Sequence, residues 1–412
     1  DRIRSRRETN NFYKQSLKDI PGIAFQNEPK DHLSNFWLTT ILVDPDKTGG
    51  INKEDIRLAL EKENIEARPL WKPMHLQPVF QDEPSYVNGT SEGLFKLGLC
   101  LPSGSNLSMD DKERIVGSIY ETLGLKRGIR HLKRKEKVVA IPVPFSPPRM
   151  DIKIIHSVEQ VLRSGWITTG PRTQKFEQKI TEYCGNSKTL CVSSATNGLE
   201  LVLRWFGVGE GDEVILPAYT YCATGNVVLR CNAKPVLVDI NHEDFLINMD
   251  EVTKKITNRT KVILPVDFAG LPCDYDELNK LVNRKDIRIK FNAKTEIQKR
   301  LGRIMILSDA AHSLGAVYKG RKTGVLADIT VFSFHAVKNL TTAEGGAIAL
   351  NLPDPFDNIE VYNYMRIYAL HGQTKDALVK SVEGGWKYDV VVPGMKANMT
   401  DVLAAIGLVE IG

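Results

Sequence analysis

No run in this 412-residue sequence reaches the roughly 18 consecutive apolar positions that a membrane-spanning helix requires. The opening stretch, DRIRSRRETNNFYKQ, also lacks the apolar centre of a secretory signal. Both absences predict a cytoplasmic protein with no membrane attachment. Cysteine is scarce as well: Cys100, Cys184, Cys191, Cys222, Cys231 and Cys273 are scattered, with no CxxC pair and no histidine cluster at zinc spacing. This excludes a disulfide framework and leaves no metal site to expect, so all six are read as buried free thiols. What remains, 42% hydrophobic and 25% charged residues, excludes disorder, collagen and coiled coil. A chain of this length is near the limit of a single core, so one large domain of about 250 residues with a smaller companion is expected.

The formal net charge of +5 is local. KRGIRHLKRKEK, from Lys126 to Lys137, holds seven Lys or Arg against one Glu, so the remaining residues together sum to about −1. A nucleic-acid-binding surface spreads positive charge over a face and interleaves aromatic residues for stacking, whereas this run has no aromatic. It reads as a solvated linker, and no nucleic-acid partner is implied.

The basic run also divides the chain. Residues 1–125 read as a small two-layer α+β domain: a helix through RIRSRRETNNFYKQSL, a strand FWLTTILVD from Phe36 to Asp44, and a helix through NKEDIRLALEKEN. A last helix is capped by Ser108, with Asp110 and Asp111 in its first turn. Residues 126–150 hold the basic linker and a proline-rich lead-in, IPVPFSPP, that cannot be helical. From 151 to 395 the runs KTLCVSS, EVILP, PVLVD, KVILPV, RIMILSD and ITVFSF alternate with helical stretches. That alternation predicts an α/β fold, a mostly parallel doubly wound sheet covered on both faces. Residues 396–412 carry a helix that joins the domains.

In such sheets ligands gather at the carboxyl ends of the strands, and three ends stand out. KTLCVS stops at Ser193 or Ser194 and leads into a helix start. There Ser194, Ala195 and Thr196 offer small side chains and free amides, suited to a phosphate and equally to an ordinary serine cap. RIMILS stops at Asp309, whose carboxylate either faces the cleft and a cationic partner or caps a helix. ITVFSF is followed by Lys338, with Gly345 and Gly346 leaving room for a close passage of chain. Its amine reads either as a nucleophile toward a carbonyl cofactor or as a solvent-facing lysine. Tyr221, in LPAYTYCATGN, is placed to stack on a ring or to sit in a turn. Together a phosphate cup, a carboxylate for a pyridinium nitrogen, an amine to condense with an aldehyde and a stacking aromatic are the parts that pyridoxal phosphate requires.

The strings SGWITTGP (Ser164 to Pro171), VSSATNGLEL, LPAYTYCAT, SDAAHSLGA, VFSFHAVKNLTTAEGGA and GMKANMTDVLAAIGL resemble the DegT/DnrJ/EryC1/StrS family of sugar aminotransferases, which are pyridoxal phosphate enzymes of fold type I. The resemblance covers nearly the whole chain. It implies that Lys338 holds the cofactor and then moves the proton, that Asp309 pairs with the pyridine N–H, and that His312 meets the phenolic oxygen. It implies a phosphate held by Ala195, Thr196 and Ser333 with Ser194 beside them, and Tyr221 stacked on the ring. Asn398 matches an asparagine that in relatives reaches the phosphate of the other subunit, which implies a homodimer with shared sites. Trp166, Thr168, Thr169, Lys396, Arg68, Trp71 and His75 resemble positions bordering a nucleotide-sugar, with Arg68 and Lys72 toward its diphosphate; the same residues would equally pack a domain junction.

The implied reaction moves an amino group from L-glutamate to a nucleotide-linked keto-deoxy-sugar in surface-polysaccharide or glycan precursor synthesis. RPLWKPMHLQP is most similar to enzymes acting on UDP-linked 4-keto-6-deoxy-hexosamines. Two other readings stay open: a sugar dehydratase of the same family, whose members carry histidine in place of the lysine, and a non-catalytic regulatory or polyanion-binding protein using the basic run. The order of parts departs from the family, since residues 1–125 resemble its C-terminal part and 138–412 its N-terminal part. This permuted order fits an engineered permutant, a segment of fused tandem copies, or neighbouring chains joined under one numbering. It predicts that the helix ending at Gly412 resumes close to Asp1.

Overall fold

The computed structural model describes residues 2–125, 141–375 and 388–412, so the basic run of 126–137 lies outside the described residues. The alternating runs form an eight-stranded sheet in the order Ser85–Tyr86, Lys234–Val238, Glu213–Pro217, Thr260–Ile263, Met305–Asp309, Ile329–Ser333, Gly346–Leu350, Lys188–Val192. The first six strands pair in parallel, and Gly346–Leu350 runs the other way, antiparallel to both neighbours. That reversed strand was not among those expected. Its sequence GAIAL has one β-branched residue, and its place is decided by backbone pairing.

Successive residues of a strand face opposite sides, and here both sides are dry. Val214, Leu216, Val262, Leu264, Met305 and Leu307 enter one apolar cluster, while Ile215, Val236, Val238, Ile263 and Ile306 enter another. Burial on two faces explains why these strands read as unbroken aliphatic runs, each such side chain contributing about 1.5–3 kcal/mol. Because seven strands share one direction, the carboxyl ends at Val192, Asp309 and Ser333 reach the same edge. The reversed strand brings its first residue there too, since Gly346 pairs with both Ser333 and Val192.

The smaller unit is an antiparallel sheet of Ile23–Phe25, Thr39–Val43, Gly98–Leu101 and Arg68–Pro69. Helices Arg2–Leu17, Lys53–Lys62 and Met109–Thr122 cover it through Tyr13, Leu17, Ile56, Leu60, Ile115 and Ile119. Reciprocal caps of Asn52 with Asp55 and Ser108 with Asp111 start the second and third of these helices, the latter as expected. The Phe36–Asp44 run becomes a strand only at Thr39. Ahead of it the Ser34 hydroxyl and the Asn35 side chain accept from the amides of Phe36 and Trp37, and Phe36 takes the left-handed φ of 44°.

The boundary near residue 125 is not where the two units separate. Ser85–Tyr86 extends the large sheet, Met74 and Phe80 sit in its core, and His32–Leu33 pairs with Val317–Tyr318. Residues 70–90 leave the small sheet because their apolar anchors find the large core and their backbone covers the edge of Lys234–Val238. Conversely Val143 bridges to Ile65. Helix Asp401–Ile411 packs against Ile152–Ser164 and Pro171–Cys184. Glu410 near its end forms an ion pair with Arg2 of the first helix, while Asp1 itself lies outside the described residues. One cysteine departs from expectation: Cys222 is exposed in the first turn of helix Cys222–Arg230, while the other five are buried. No helix among the described residues is long and apolar enough to cross a membrane.

Candidate active site

Asp309 is the last residue of its strand and is 6% exposed. Its Oδ2 accepts from the Thr224 hydroxyl at 2.8 Å and its Oδ1 from the Ala311 amide at 3.2 Å. Burial raises its carboxyl above the ordinary range, opposed by those two bonds and by the charge of Lys338. His312, three residues on, is also buried, and burial together with Lys338 pushes its imidazole well below the usual value, so the ring is neutral. Its Nδ1 is enclosed without a hydrogen-bond partner among the described residues. An orphaned buried nitrogen costs about 1–3 kcal/mol and marks a place built for a further group.

Lys338 lies in the loop between Ile329–Ser333 and Gly346–Leu350, with Nζ 4.0 Å from the centre of the Trp37 ring. Desolvation brings its amine down to about 7, Arg6 adding to the shift and Asp309 opposing it. The amine therefore exchanges between charged and neutral forms near neutral pH, the property of a nucleophile and proton carrier.

The turn expected to hold a phosphate follows from the sheet register. Helix Ala195–Phe206 begins directly after the Lys188–Val192 strand, and the Ser194 hydroxyl accepts from the Asn197 amide at 3.1 Å. Ser194 is thus the helix cap, and the first-turn amides of Ala195 and Thr196 have no carbonyl four residues back within the helix. Ser333 stands across Gly346 from this turn. A Cβ on Gly346 would lie 2.6 Å from the Ala195 nitrogen, so only glycine lets the reversed strand border the cup. Tyr221 is 57% exposed at the mouth, 5.9 Å from Trp71, and Trp71 lies 5.4 Å from His312, ring centre to ring centre.

The substrate-side residues divide into two groups. Trp166, Thr168, Thr169, Lys396 and Asn398 meet in one knot beside the edge strand: Asn398 bridges Val192, its side-chain amide donates to Thr169 Oγ1 at 2.6 Å, and its carbonyl accepts from Lys396. The Trp166 indole donates to the Thr169 carbonyl at 3.2 Å, and the Thr168 carbonyl accepts from the Asp401 amide at 3.1 Å. Asp401 ties the knot by accepting from the amides of Gly170, Arg172 and Thr173 at the start of helix Pro171–Cys184. Arg68 and His75 lie elsewhere: Arg68 pairs with Glu66 and covers Phe145, while His75 bonds Glu92 at 2.8 Å.

Four contributors went unrecognised in the sequence. Thr224 stands three residues after Tyr221 in a small-residue run, a weak signal. Gly346 was noted for space but not as a wall of the cup. Trp37 and Arg6 belong to segments that read as strand and surface helix.

The family model for the DegT/DnrJ/EryC1/StrS aminotransferase family matches residues 1–120 and 148–412, and the chain belongs to that family. Spr1654 of Streptococcus pneumoniae, assigned as a sugar aminotransferase, has a solved PMP form 49% identical to this chain, with a TM-score of 0.63 over 65% of this chain and 67% of that one. A PLP form of the same protein is 47% identical. PseC of Helicobacter pylori, an aminotransferase involved in the biosynthesis of pseudoaminic acid, is 29% identical with a TM-score of 0.54, over 65% of this chain and 64% of that one. The uncharacterized protein MJ1066 of Methanocaldococcus jannaschii is 42% identical over 62% of this chain and 60% of its own length.

Family and neighbours point to pyridoxal phosphate, and the residues fit it. The cup offers helix amides to a phosphate, Asp309 offers a carboxylate to a ring N–H, the orphaned His312 offers a partner to a ring substituent, and Lys338 offers an amine. When bound, pyridoxal phosphate supplies an aldehyde that condenses with amines and a protonated pyridine that draws electron density from a neighbouring bond.

Proposed function

We propose that this protein is an aminotransferase that moves an amino group from L-glutamate to a nucleotide-linked keto-deoxy-sugar, with a UDP-linked 4-keto-6-deoxy-hexosamine the first candidate. The observation that carries this reading is the pairing of Lys338, an amine titrating at about 7, with a buried Asp309 and a neutral His312 at one sheet edge. Lys338 takes a proton and returns it, Asp309 keeps the ring nitrogen protonated, and the amides after Ser194 hold the phosphate. Lys338 also disfavours the dehydratase alternative, which uses histidine at that place. The sugar assignment draws on the sequence RPLWKPMHLQP and on the sugar aminotransferase among the similar structures. A homodimer in which Asn398 of each subunit completes the other's cup belongs to the same proposal.

The test is incubation of purified protein with glutamate and a panel of UDP-, dTDP- and GDP-keto-sugars, with mass detection of product. A gain of one amino group on one of the sugars, with 2-oxoglutarate released, is expected. No aminated product from any member, with the cofactor in place, would contradict the reading.

A further inference from the structure

The Lys338 amine lies over the ring of a tryptophan from the other unit. Trp37 sits in the turn before Thr39–Val43 and is 5% exposed. Asn35, which accepts from the Trp37 amide, donates from its own side chain to the carbonyls of His312 and Leu314 at 2.6 and 3.1 Å, so the turn is anchored to the large unit. Arg6 donates to the Trp37 carbonyl at 2.8 Å and to the Ser103 carbonyl at 2.9 Å. The indole N–H in turn donates to the carbonyl of Val337, next to Lys338, at 2.8 Å, and the Ser146 hydroxyl reaches the same carbonyl at 3.3 Å. The indole stacks on the His312 ring at 3.9 Å and 19°, and the Lys338 amine lies 4.0 Å from its centre.

An indole is the strongest aromatic partner for a cation, and an amine on a flexible four-carbon stem needs such a seat to stay in one place. We propose that Trp37 is a positioning residue for Lys338: its ring seats the amine, so the small unit sets where the proton is delivered. The charged groups around the amine are Asp309 and Arg6, with His312 uncharged, and none of them duplicates this seat. The proposal deepens the aminotransferase reading and rests on it.

The test compares Trp37→Leu, which removes the ring, with Trp37→Phe, which keeps a ring and loses the N–H. The protein is first freed of carbonyl adducts by dialysis against hydroxylamine. Reductive methylation of Lys338 with formaldehyde and borohydride is then followed by mass spectrometry as a function of pH. Because a ring stabilises the ammonium form, Trp37→Leu should lower the labelling midpoint by about half to one pH unit, and Trp37→Phe by no more than about 0.3. In cofactor-loaded protein the glutamate half-reaction should slow about 10- to 100-fold in Trp37→Leu without a matching loss of glutamate affinity, and be largely rescued by Trp37→Phe. An unchanged or raised midpoint in Trp37→Leu would overturn the proposal. Should that variant not fold, a Trp37→Phe enzyme as slow as about tenfold below wild type would overturn it. A merely structural tryptophan would lower the melting temperature and leave the midpoint in place. Labelling is read without cofactor, so absent transamination and absent effect of Trp37 are separate results.

Discussion

His312 and Lys338 at the sheet edge and Asp401 in the knot beside it stand in opposite conditions. At the edge, His312 keeps a buried nitrogen without a partner, and Lys338 holds an amine far from its ordinary titration. In the knot, Asp401 accepts from three amides and the Thr173 hydroxyl, and Asn398 has both ends of its amide bonded. The saturated Asp401 carboxylate stabilises the fold, whereas the His312 nitrogen left open by a rigid frame is available to a ligand.

The comparison breaks most visibly if the edge is not the reacting centre. Lys338→Ala should cut transamination by about 10⁴-fold or more while leaving the melting temperature nearly unchanged, because a desolvated amine contributes little to packing. Asp309→Asn should keep the cofactor bound and lower the half-reaction about 10²- to 10³-fold, since an amide cannot hold the ring nitrogen protonated. Stopped-flow absorbance with glutamate reads both. The knot should answer in the other currency of stability: Asp401→Ala is expected to cost about 3 kcal/mol in denaturant unfolding, with the rate per folded, cofactor-loaded molecule within a few-fold of wild type. A rate loss there comparable to that of Asp309→Asn would erase the distinction.

A smaller effect sharpens it. Glu177 is buried under the knot, accepting from the Cys191 amide and the Tyr362 hydroxyl, both at 2.8 Å. Burial pushes its carboxyl up to about 7. The folded state therefore keeps this proton where the unfolded chain has already lost it, so stability declines as pH rises from the ordinary carboxylate range to about 7 and is level above it. Glu177→Gln should flatten that decline and stabilise the protein above pH 7 by about 1–2 kcal/mol, as measured by denaturant midpoints on either side of the interval.

The meeting of Asp309 and Lys338 was legible because strand ends are: an aliphatic run that stops at Asp309, and another that stops before Lys338, deliver those groups to the carboxyl edge of a doubly wound sheet. Trp37 was not legible, because FWLTTILVD reads as one strand until the Ser34 and Asn35 side chains are seen to bend its first residues into a turn. The reversed strand Gly346–Leu350 was hidden by its small residues, and the departure of residues 70–90 to the large sheet rests on anchors, Met74 and Phe80, that are apolar in either place. Asn398 was singled out by resemblance, and its bonds to Thr169 and Lys396 depend on a bridge to Val192 that no local pattern announces.

The central claim is that Lys338 is the amine that holds the cofactor. Borohydride reduction of the cofactor-loaded protein, followed by proteolysis and mass spectrometry, tests it most directly. The account predicts a phosphopyridoxyl group on the peptide containing Lys338 and on no other lysine peptide, with the visible absorbance lost on reduction. The same group on a different lysine, or an unmodified Lys338 peptide from protein whose visible absorbance has been bleached, would contradict it.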